Sequence, residues 1–177
     1  IECRILSSGP RTNPWMQESS NKIIQRGEIV SFDTDMVGPY GYCADISRAF
    51  VEGNIFNDNQ KKLYSMAVEQ INHNARLIKN GMSFKEFTEK SWVLPEEYYG
   101  NRYSVMVHGI GLCDEWPAIR YPTDGGERKG VFQKNMTITV ESYIGKVGGK
   151  EGVKLEQQFL VGQNGLELMS HHPLEDI

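Results

Sequence analysis

The chain has 177 residues, of which 39% are hydrophobic and 24% charged, and its formal net charge is −4 at pH 7. This is the composition of a globular domain with an ordinary core, and the interspersed charges exclude a basic nucleic-acid-binding face and a polybasic membrane patch. No apolar run approaches the roughly 20 residues of a membrane span, and the first residues lack the layout of a signal peptide. A small soluble substrate fits this composition better.

The cysteines and the first residues bear on the context of the chain. Cys3, Cys43 and Cys113 are odd in number and have no paired spacing, so we expect a reducing, cytoplasmic compartment and no disulfide framework. The chain begins with IECRILSSG, which has the pattern of a strand and no initiating methionine. We therefore expect it to be part of something longer.

Residues 28–53 have the pattern of a β-hairpin. EIVSFDTDMV and CADISRAFVEG alternate in polarity, and GPYGY between them has the chemistry of a turn. Asp33 and Asp35 are two residues apart, so on a strand they point to the same face, and Asp45 on the partner strand can reach them. The hairpin therefore predicts a group of three carboxylates.

Two helices are predicted after the hairpin. From about Asn57 to Asn80 the apolar residues follow a helical period, and they stop at Gly81, which is typical of a helix C-cap. At Ser83 the sequence SFKE has the spacing of a capping box, which predicts the start of the second helix.

Three further strands are predicted in the second half. YSVMVHGIGL has the pattern of a strand with His108 at its end, and DEWPAIRYPTDGGERKG after it is a loop long enough to shape the mouth of a pocket. NMTITVESYIG and GVKLEQQFLVG alternate in polarity, with Glu141 and Glu156 in their middles. There is no repeat or clear interdomain linker, so the pattern predicts a single α+β domain.

A set of polar residues lies beside apolar neighbours on these predicted strands or strand ends: Asp33, Asp35, Asp45, His108, Glu141 and Glu156. Taken singly, a carboxylate on a strand is most often part of its solvated face, and a lone histidine is more often structural than a ligand. Taken together, one sheet could point them all inward, and clustered buried carboxylates persist only if a cation neutralises them. They suit two ions about 3.5 to 4 Å apart. Oxygen-rich ligation with one nitrogen favours Fe, Mn, Co or Zn.

The order of these motifs resembles that of the pita-bread metalloenzymes: methionine aminopeptidase, prolidase, aminopeptidase P and creatinase. GYCADISRAF is similar to the family's GYxSDxTRTF, HGIGL is common to both, and five separated motifs occur in the family's order between about Glu28 and Gly162. The resemblance implies an α/β fold whose curved, mainly antiparallel sheet, flanked by helices, carries a dinuclear metal site. It also implies that residues 1–177 are most of a single C-terminal catalytic domain, without the usual N-terminal domain.

Two departures from the peptidases narrow this resemblance. Peptidases space their first two aspartate ligands eleven residues apart, whereas here Thr34 stands eleven before Asp45, flanked by Asp33 and Asp35. Peptidases also carry a substrate-contacting histidine after HGIGL, roughly where this chain has Asp114. Both departures, together with SGPRTNPWMQE, FDTDMVG and LCDEWP, resemble the dimethylsulfoniopropionate lyases of the DddP type, which are dimeric enzymes of marine bacteria with a two-metal iron centre.

The resemblance implies a role for each matching residue. It makes the six residues of the polar set the metal ligands, Asp114 the catalytic base and Tyr103 a substrate contact. Cleavage of dimethylsulfoniopropionate to dimethyl sulfide and acrylate needs a base for the proton α to the carboxylate, and the sulfonium cation suits an aromatic face. Trp116 is a second aromatic candidate, although loop packing explains it as well, and a core position would equally explain Tyr103. We expect Arg48 to pair with an acidic neighbour behind the metal site.

Two other functions stay open. A Xaa-Pro type metallopeptidase could use the same ligands with a different acid or base. A catalytically inactive pita-bread binding module would bind no stoichiometric metal, but all the ligand positions of the family are filled here, which argues against it.

Overall fold

The structure of the protein is a computed structural model that describes residues 5–125 and 129–175. Cys3, which contributed to the expectation about compartment, lies outside the described residues. Within the described ranges, no helix is both long enough and apolar enough to cross a lipid bilayer.

The described part of the chain combines antiparallel strands with three α-helices, which confirms the predicted fold class. The strands are β1 (Leu6–Ser8), β2 (Ile29–Asp33), β3 (Met36–Val37), β4 (Cys43–Ala44), β5 (Ser47–Val51), β6 (Val105–Gly109), β7 (Ala118–Arg120), β8 (Thr137–Ile144), β9 (Val153–Val161) and β10 (Leu166–Leu168). The helices are α1 (Asp58–Leu77), α2 (Phe84–Lys90) and α3 (Glu96–Tyr99).

The larger strands form two antiparallel sheets instead of the one sheet expected from the sequence. In the three-stranded sheet β2 lies between β1 and β5, and the five-stranded sheet has the order β10-β9-β8-β6-β7. The two sheets meet where β5 lies against β9. At this contact the Arg48 guanidinium donates a hydrogen bond of 2.6 Å to the Glu156 carbonyl. Both sheets therefore contribute residues to the space between them.

The predicted hairpin over residues 28–53 is confirmed, but a break divides it into two ladders. β2 pairs with β5, and β3 pairs with β4 at the tip. Thr34 lies in the break, where its hydroxyl donates to the Ile46 carbonyl and accepts from the Ile46 amide, both at 3.1 Å. Asp35 and Asp45 lie in the same break and not on strands, which corrects their predicted placement.

The first helix is the one predicted, with a different end. Asn57 caps α1 in a reciprocal capping box with Gln60. The helix ends at Leu77, so the prediction that Gly81 caps it is wrong. Gly81 has a φ of +85° and its amide donates to the Phe132 carbonyl at 2.7 Å, so it serves a turn that returns the chain to the sheet.

The second helix also begins where the sequence predicts. The Ser83 hydroxyl accepts a hydrogen bond of 3.0 Å from the Glu86 amide and caps α2. The Glu86 carboxylate pairs with Lys90 at 2.7 Å. Ser83 therefore caps the helix, but Glu86 is engaged on the exposed helix surface.

The main core lies between α1 and the five-stranded sheet and positions the polar set. It includes Leu63 and Ile71 from the helix and Val140 and Leu155 from the sheet. Side chains alternate along a strand, so Glu141 follows Val140 and points away from this core. Glu156, which follows Leu155 and lies directly opposite Glu141 in the ladder, does the same.

Candidate metal centre

The predicted ligands come together in the space between the two sheets, and all are buried. Their relative exposures are 8% for Asp33, 7% for Asp35, 3% for Asp45, 1% for His108, 2% for Glu141 and 1% for Glu156. We call these residues the acidic cluster. Carboxylates are almost never buried to this extent without a partner, so the cluster requires compensation by cations or protons.

The imidazole of His108 lies at the centre of the cluster. Its Nε2 atom is 3.2 Å from Glu156 Oε1, 3.4 Å from Glu141 Oε1 and 3.7 Å from Asp45 Oδ2. Its Nδ1 atom lies 3.0 Å from the Gly109 carbonyl, and this contact orients the ring, as backbone carbonyls commonly do for metal-binding histidines.

Two groups of side chains have the arrangement of metal ligands, and they share one residue. Asp45, His108 and Glu156 form one group, and Asp35, Asp45 and Asp114 form the other; in each group the ligand atoms all lie within 4.8 Å of one another. Because both groups include the Asp45 carboxylate, the side chains around it offer donor atoms that could hold two ions.

The carboxyl groups repel one another strongly without a metal ion. Burial, reinforced by the charge of Glu156, raises the pKa of Asp45 to about 11 and that of Glu141 to about 8. Burial also raises the pKa of Asp33 to about 6, although the charge of Lys154 opposes the change. Burial acts in the same direction on Glu156, but Lys154 and hydrogen bonding to the histidine keep its pKa below the usual value.

The cluster also contains a histidine with a raised pKa and two carboxylate oxygens without a hydrogen-bond partner among the described residues. Burial alone would lower the pKa of His108, but the hydrogen bond to Glu156 and the charges of Glu141 and Glu156 raise it to about 10. Asp45 Oδ1 and Glu141 Oε1 are buried and have no hydrogen-bond partner among the described residues. Such atoms destabilise a fold unless something binds them, so the donor set fits divalent cations.

These shifts predict how stability depends on pH in protein held in a chelator. Burial raises the pKa of Glu141 from 4.5 to about 8, so between these pH values the folded state binds more protons than the unfolded state. The free energy of unfolding therefore falls as pH rises through this range. The pKa values of Asp33, Asp45 and His108 are also raised in the folded state, so these groups contribute to the same fall in stability within this pH range.

We expect the free energy of unfolding, measured by urea denaturation in EDTA, to decrease by a few kcal/mol between pH 5.5 and pH 8. Glu141→Gln should reduce the dependence of the free energy of unfolding on pH, because the amide does not ionise. Glu89→Gln, at an exposed helical position, should not change it. A stability that rises over the same range in EDTA would contradict the proposed origin of the shifts.

A cavity of about 230 Å³ opens onto the cluster. It is lined by Ile5, Met16, Asp33, Asp35, Asp45, Tyr103, Asp114, Glu115, Glu141 and Glu156. Asp114 is half-buried, and burial, together with the charge of Asp35, raises its pKa. Tyr103 and Asp114 therefore both line a cavity beside the carboxylates.

Trp116 is the predicted site residue that the structure does not bring to the cavity. Its side chain is 62% exposed and it is not part of the lining. The buried tryptophan of this region is Trp15, at 7% exposure, which packs against Tyr143 with ring centroids 6.0 Å apart. Trp15 follows Pro14 in an irregular segment, and no periodic pattern in the sequence signals its burial.

Lys154 is the residue of this site that the sequence did not reveal. Its Nζ atom lies 2.7 Å from Glu156 Oε2, 2.9 Å from Glu141 Oε2 and 4.0 Å from Asp33 Oδ1, at 1% exposure. The signal available in the sequence was its position two residues before Glu156, which puts both side chains on the same face of β9.

Arg48 connects the cluster to the C-terminal segment. Its guanidinium donates to the Glu156 carbonyl at 2.6 Å, to Gln157 Oε1 at 2.6 Å, to the Pro173 carbonyl at 3.1 Å and to the His172 carbonyl. These partners replace the acidic neighbour that we expected. Arg48 therefore supports the backbone of the strand that carries Glu156.

Two antiparallel sheets flanked by helices, with buried carboxylates and an imidazole between them that could hold metal ions, define the pita-bread architecture. The chain belongs to metallopeptidase family M24, whose sequence profile matches residues 3–163. Solved structures agree: the Xaa-Pro dipeptidase from Bacillus anthracis superimposes with a TM-score of 0.81 at 28% identity, over 97% of this chain and 47% of that one. The X-Pro aminopeptidase from Thermotoga maritima gives 0.78 at 27% identity, over 97% and 47%.

Curated relatives fall into two groups. Dimethylsulfoniopropionate lyase DddP of Roseovarius nubinhibens is 41% identical over 99% of this chain and 40% of its own length. The Xaa-Pro dipeptidase of Pyrococcus furiosus is 31% identical over 94% of this chain and 46% of its own length. The chain thus spans less than half the length of either relative.

Proposed function

We propose that the protein is a metal-dependent carbon–sulfur lyase that cleaves dimethylsulfoniopropionate to dimethyl sulfide and acrylate. The observation that carries this proposal is the position of the Asp114 carboxylate, which lines the cavity and lies within 4.8 Å of Asp35 and Asp45. A carboxylate at this point, with its pKa raised by burial, has the properties of a general base. The 41% identity to the DddP lyase supports the same conclusion.

The acidic cluster would hold two divalent ions, through Asp33, Asp35, Asp45, His108, Glu141 and Glu156. Bound there, divalent ions supply Lewis-acid stabilisation of the negative charge that develops on the substrate carboxylate during proton removal. We propose iron as the metal, with Mn, Zn and Co as the alternatives that the same oxygen-rich donor set accepts.

The proposed reaction is a β-elimination. Asp114 takes the proton from the carbon α to the substrate carboxylate, and the electrons of that C–H bond form the double bond of acrylate. The bond between the β carbon and sulfur breaks, and dimethyl sulfide leaves as a neutral molecule with the electron pair. No water nucleophile takes part, which is consistent with an aspartate where the peptidases carry a histidine.

We propose that Tyr103 contacts the sulfonium group. Its ring lines the cavity beside the carboxylates, and a cation without N–H groups is held by aromatic faces, each contributing roughly 0.5 to 2 kcal/mol. Trp116, the second aromatic candidate, lies outside the lining, so Tyr103 is the residue to which we assign this contact.

A paired assay separates lyase from peptidase. Full-length protein, stripped of metal and reloaded with Fe²⁺, Mn²⁺ or Zn²⁺, is incubated with dimethylsulfoniopropionate and, separately, with a Xaa-Pro dipeptide. Dimethyl sulfide in the headspace with little proline release is the expected result. Proline release without dimethyl sulfide would favour the Xaa-Pro peptidase, the alternative suggested by the Pyrococcus relative. Absence of bound metal would favour an inactive binding module.

We further propose the setting in which this activity operates. Residues 1–177 form most of a single C-terminal catalytic domain, and the protein works as a homodimer in the cytoplasm of a marine bacterium. In the described part of the chain, Cys113 is an exposed free thiol, which supports a reducing compartment. Light scattering after size-exclusion chromatography measures the oligomeric state.

A further inference from the structure

A buried lysine, Lys154, places its ammonium nitrogen within 4.0 Å of both glutamates of the cluster. Lys154 lies on β9, opposite Tyr143 in the ladder, and is 1% exposed. Its Nζ atom also donates to Ser47 Oγ at 2.9 Å. The rings of Trp15 and Tyr103 have centroids 5.4 and 5.5 Å from the same atom. These neighbours keep the ammonium group from reaching solvent.

The lysine and the histidine divide the oxygens of the two glutamates between them. Lys154 Nζ lies 2.9 Å from Glu141 Oε2 and 2.7 Å from Glu156 Oε2. His108 Nε2 lies 3.4 Å and 3.2 Å from the Oε1 atoms of the same residues. One oxygen of each glutamate is therefore held by the ammonium group, and the other stays beside the imidazole.

The charges of the cluster point to a role for this arrangement. Five carboxylates and one ammonium group leave four net negative charges, which two divalent ions neutralise. Without the lysine, one negative charge would remain after both ions had bound. In a buried site such a residual charge is costly, so the lysine matches the cluster to the charge of its ions.

We propose that Lys154 is a positioning residue that sets the charge of the metal centre and holds the Oε2 atoms of Glu141 and Glu156, so that their Oε1 atoms face the ion-binding position beside His108. The inference rests on the proposed metal centre and goes beyond it. It predicts that the lysine weakens cation binding while it fixes the geometry of two ligands.

The test compares Lys154→Met, which keeps the length of the side chain and removes its charge, with Lys154→Arg, which keeps the charge. Full-length wild-type and variant proteins are stripped of metal and dialysed against Mn²⁺ or Zn²⁺ buffered by a competing chelator, and bound metal is measured by elemental analysis. Melting temperatures are recorded with and without metal.

We expect wild-type protein to bind two ions and K154M to bind its weaker ion at least about tenfold more tightly, because a nearby positive charge has been removed. The affinity of K154R for its weaker ion should stay within about threefold of the wild-type affinity, because arginine keeps the positive charge. Without metal, K154M should have a lower melting temperature than wild-type protein. Added metal should reduce this difference in melting temperature. A merely structural lysine would lower the melting temperature equally with and without metal.

Unchanged or weaker ion binding by K154M, beside a wild type that binds two ions, would overturn the role of Lys154 and leave the metal centre standing. A wild type that binds no ion would overturn both. If K154M does not fold without metal, Lys154→Gln tests the same loss of charge with a side chain that still donates hydrogen bonds.

Discussion

Asp114→Asn should leave the protein folded and loaded with metal but lower the rate of dimethyl sulfide release by at least about a hundredfold, the range expected for loss of a general base. The amide has nearly the shape of the carboxylate but cannot accept the α proton. Headspace analysis gives the rate, and elemental analysis of the same sample gives the metal content.

Metal content decides how a loss of activity in this variant is interpreted. The carboxylate of Asp114 lies close enough to Asp35 and Asp45 to ligate an ion itself. An asparagine variant that loses one ion together with its activity would identify Asp114 as a ligand and contradict its assignment as the base. Cys113→Ser, one position earlier in the same exposed loop, is the matched control and should retain full activity.

Glu156→Gln should have the second large effect, on metal binding. Glu156 contacts both His108 and Lys154, so its carboxylate lies at the centre of the acidic cluster. The amide has half the acceptor oxygens and no negative charge, so we expect metal affinity to fall by at least about a hundredfold and lyase activity to fall with it.

A buried glutamate outside the cluster provides the control for that experiment. Glu151 accepts hydrogen bonds from the Ile29 amide at 2.8 Å and from Gln60 at 3.0 Å, and it anchors β2 to α1. Glu151→Gln should lower the melting temperature but leave the number of bound ions unchanged. Equal metal loss in both variants would show that E156Q acts through general destabilisation, against our assignment.

Helices and strands with a clear hydrophobic periodicity were predictable from the sequence. Strands that form only because they pair with a neighbouring strand were not. The hairpin over residues 28–53 and α1 have strict periods, so local sequence decides them. β7 has only three residues between Pro117 and Pro122, without alternation, and it exists because it pairs with β6. A strand of that kind depends on its neighbour, and the sequence of the loop does not reveal it.

The residues of the metal centre also divide into those that local sequence reveals and those that depend on tertiary contacts. The clustering of the six polar residues was predictable because carboxylates beside apolar strand residues are unusual in type and position. Lys154 was not, because a lysine on an alternating strand ordinarily belongs to a solvated face, and tertiary contacts with Ser47, Trp15 and Tyr103 bury it here. Trp116 and Trp15 lie in irregular segments, where burial depends on tertiary contacts alone.

The hydrogen bonds of Arg48 also matter to protein engineering. The guanidinium fastens the carbonyls of His172 and Pro173 to the strand that bears Glu156, although these residues follow it by sixteen positions or more. A deletion or fused tag that displaces this segment would loosen the strand that carries Glu156 without altering any residue of the acidic cluster. Designers of shortened or fused versions should therefore keep the chain intact through Pro173.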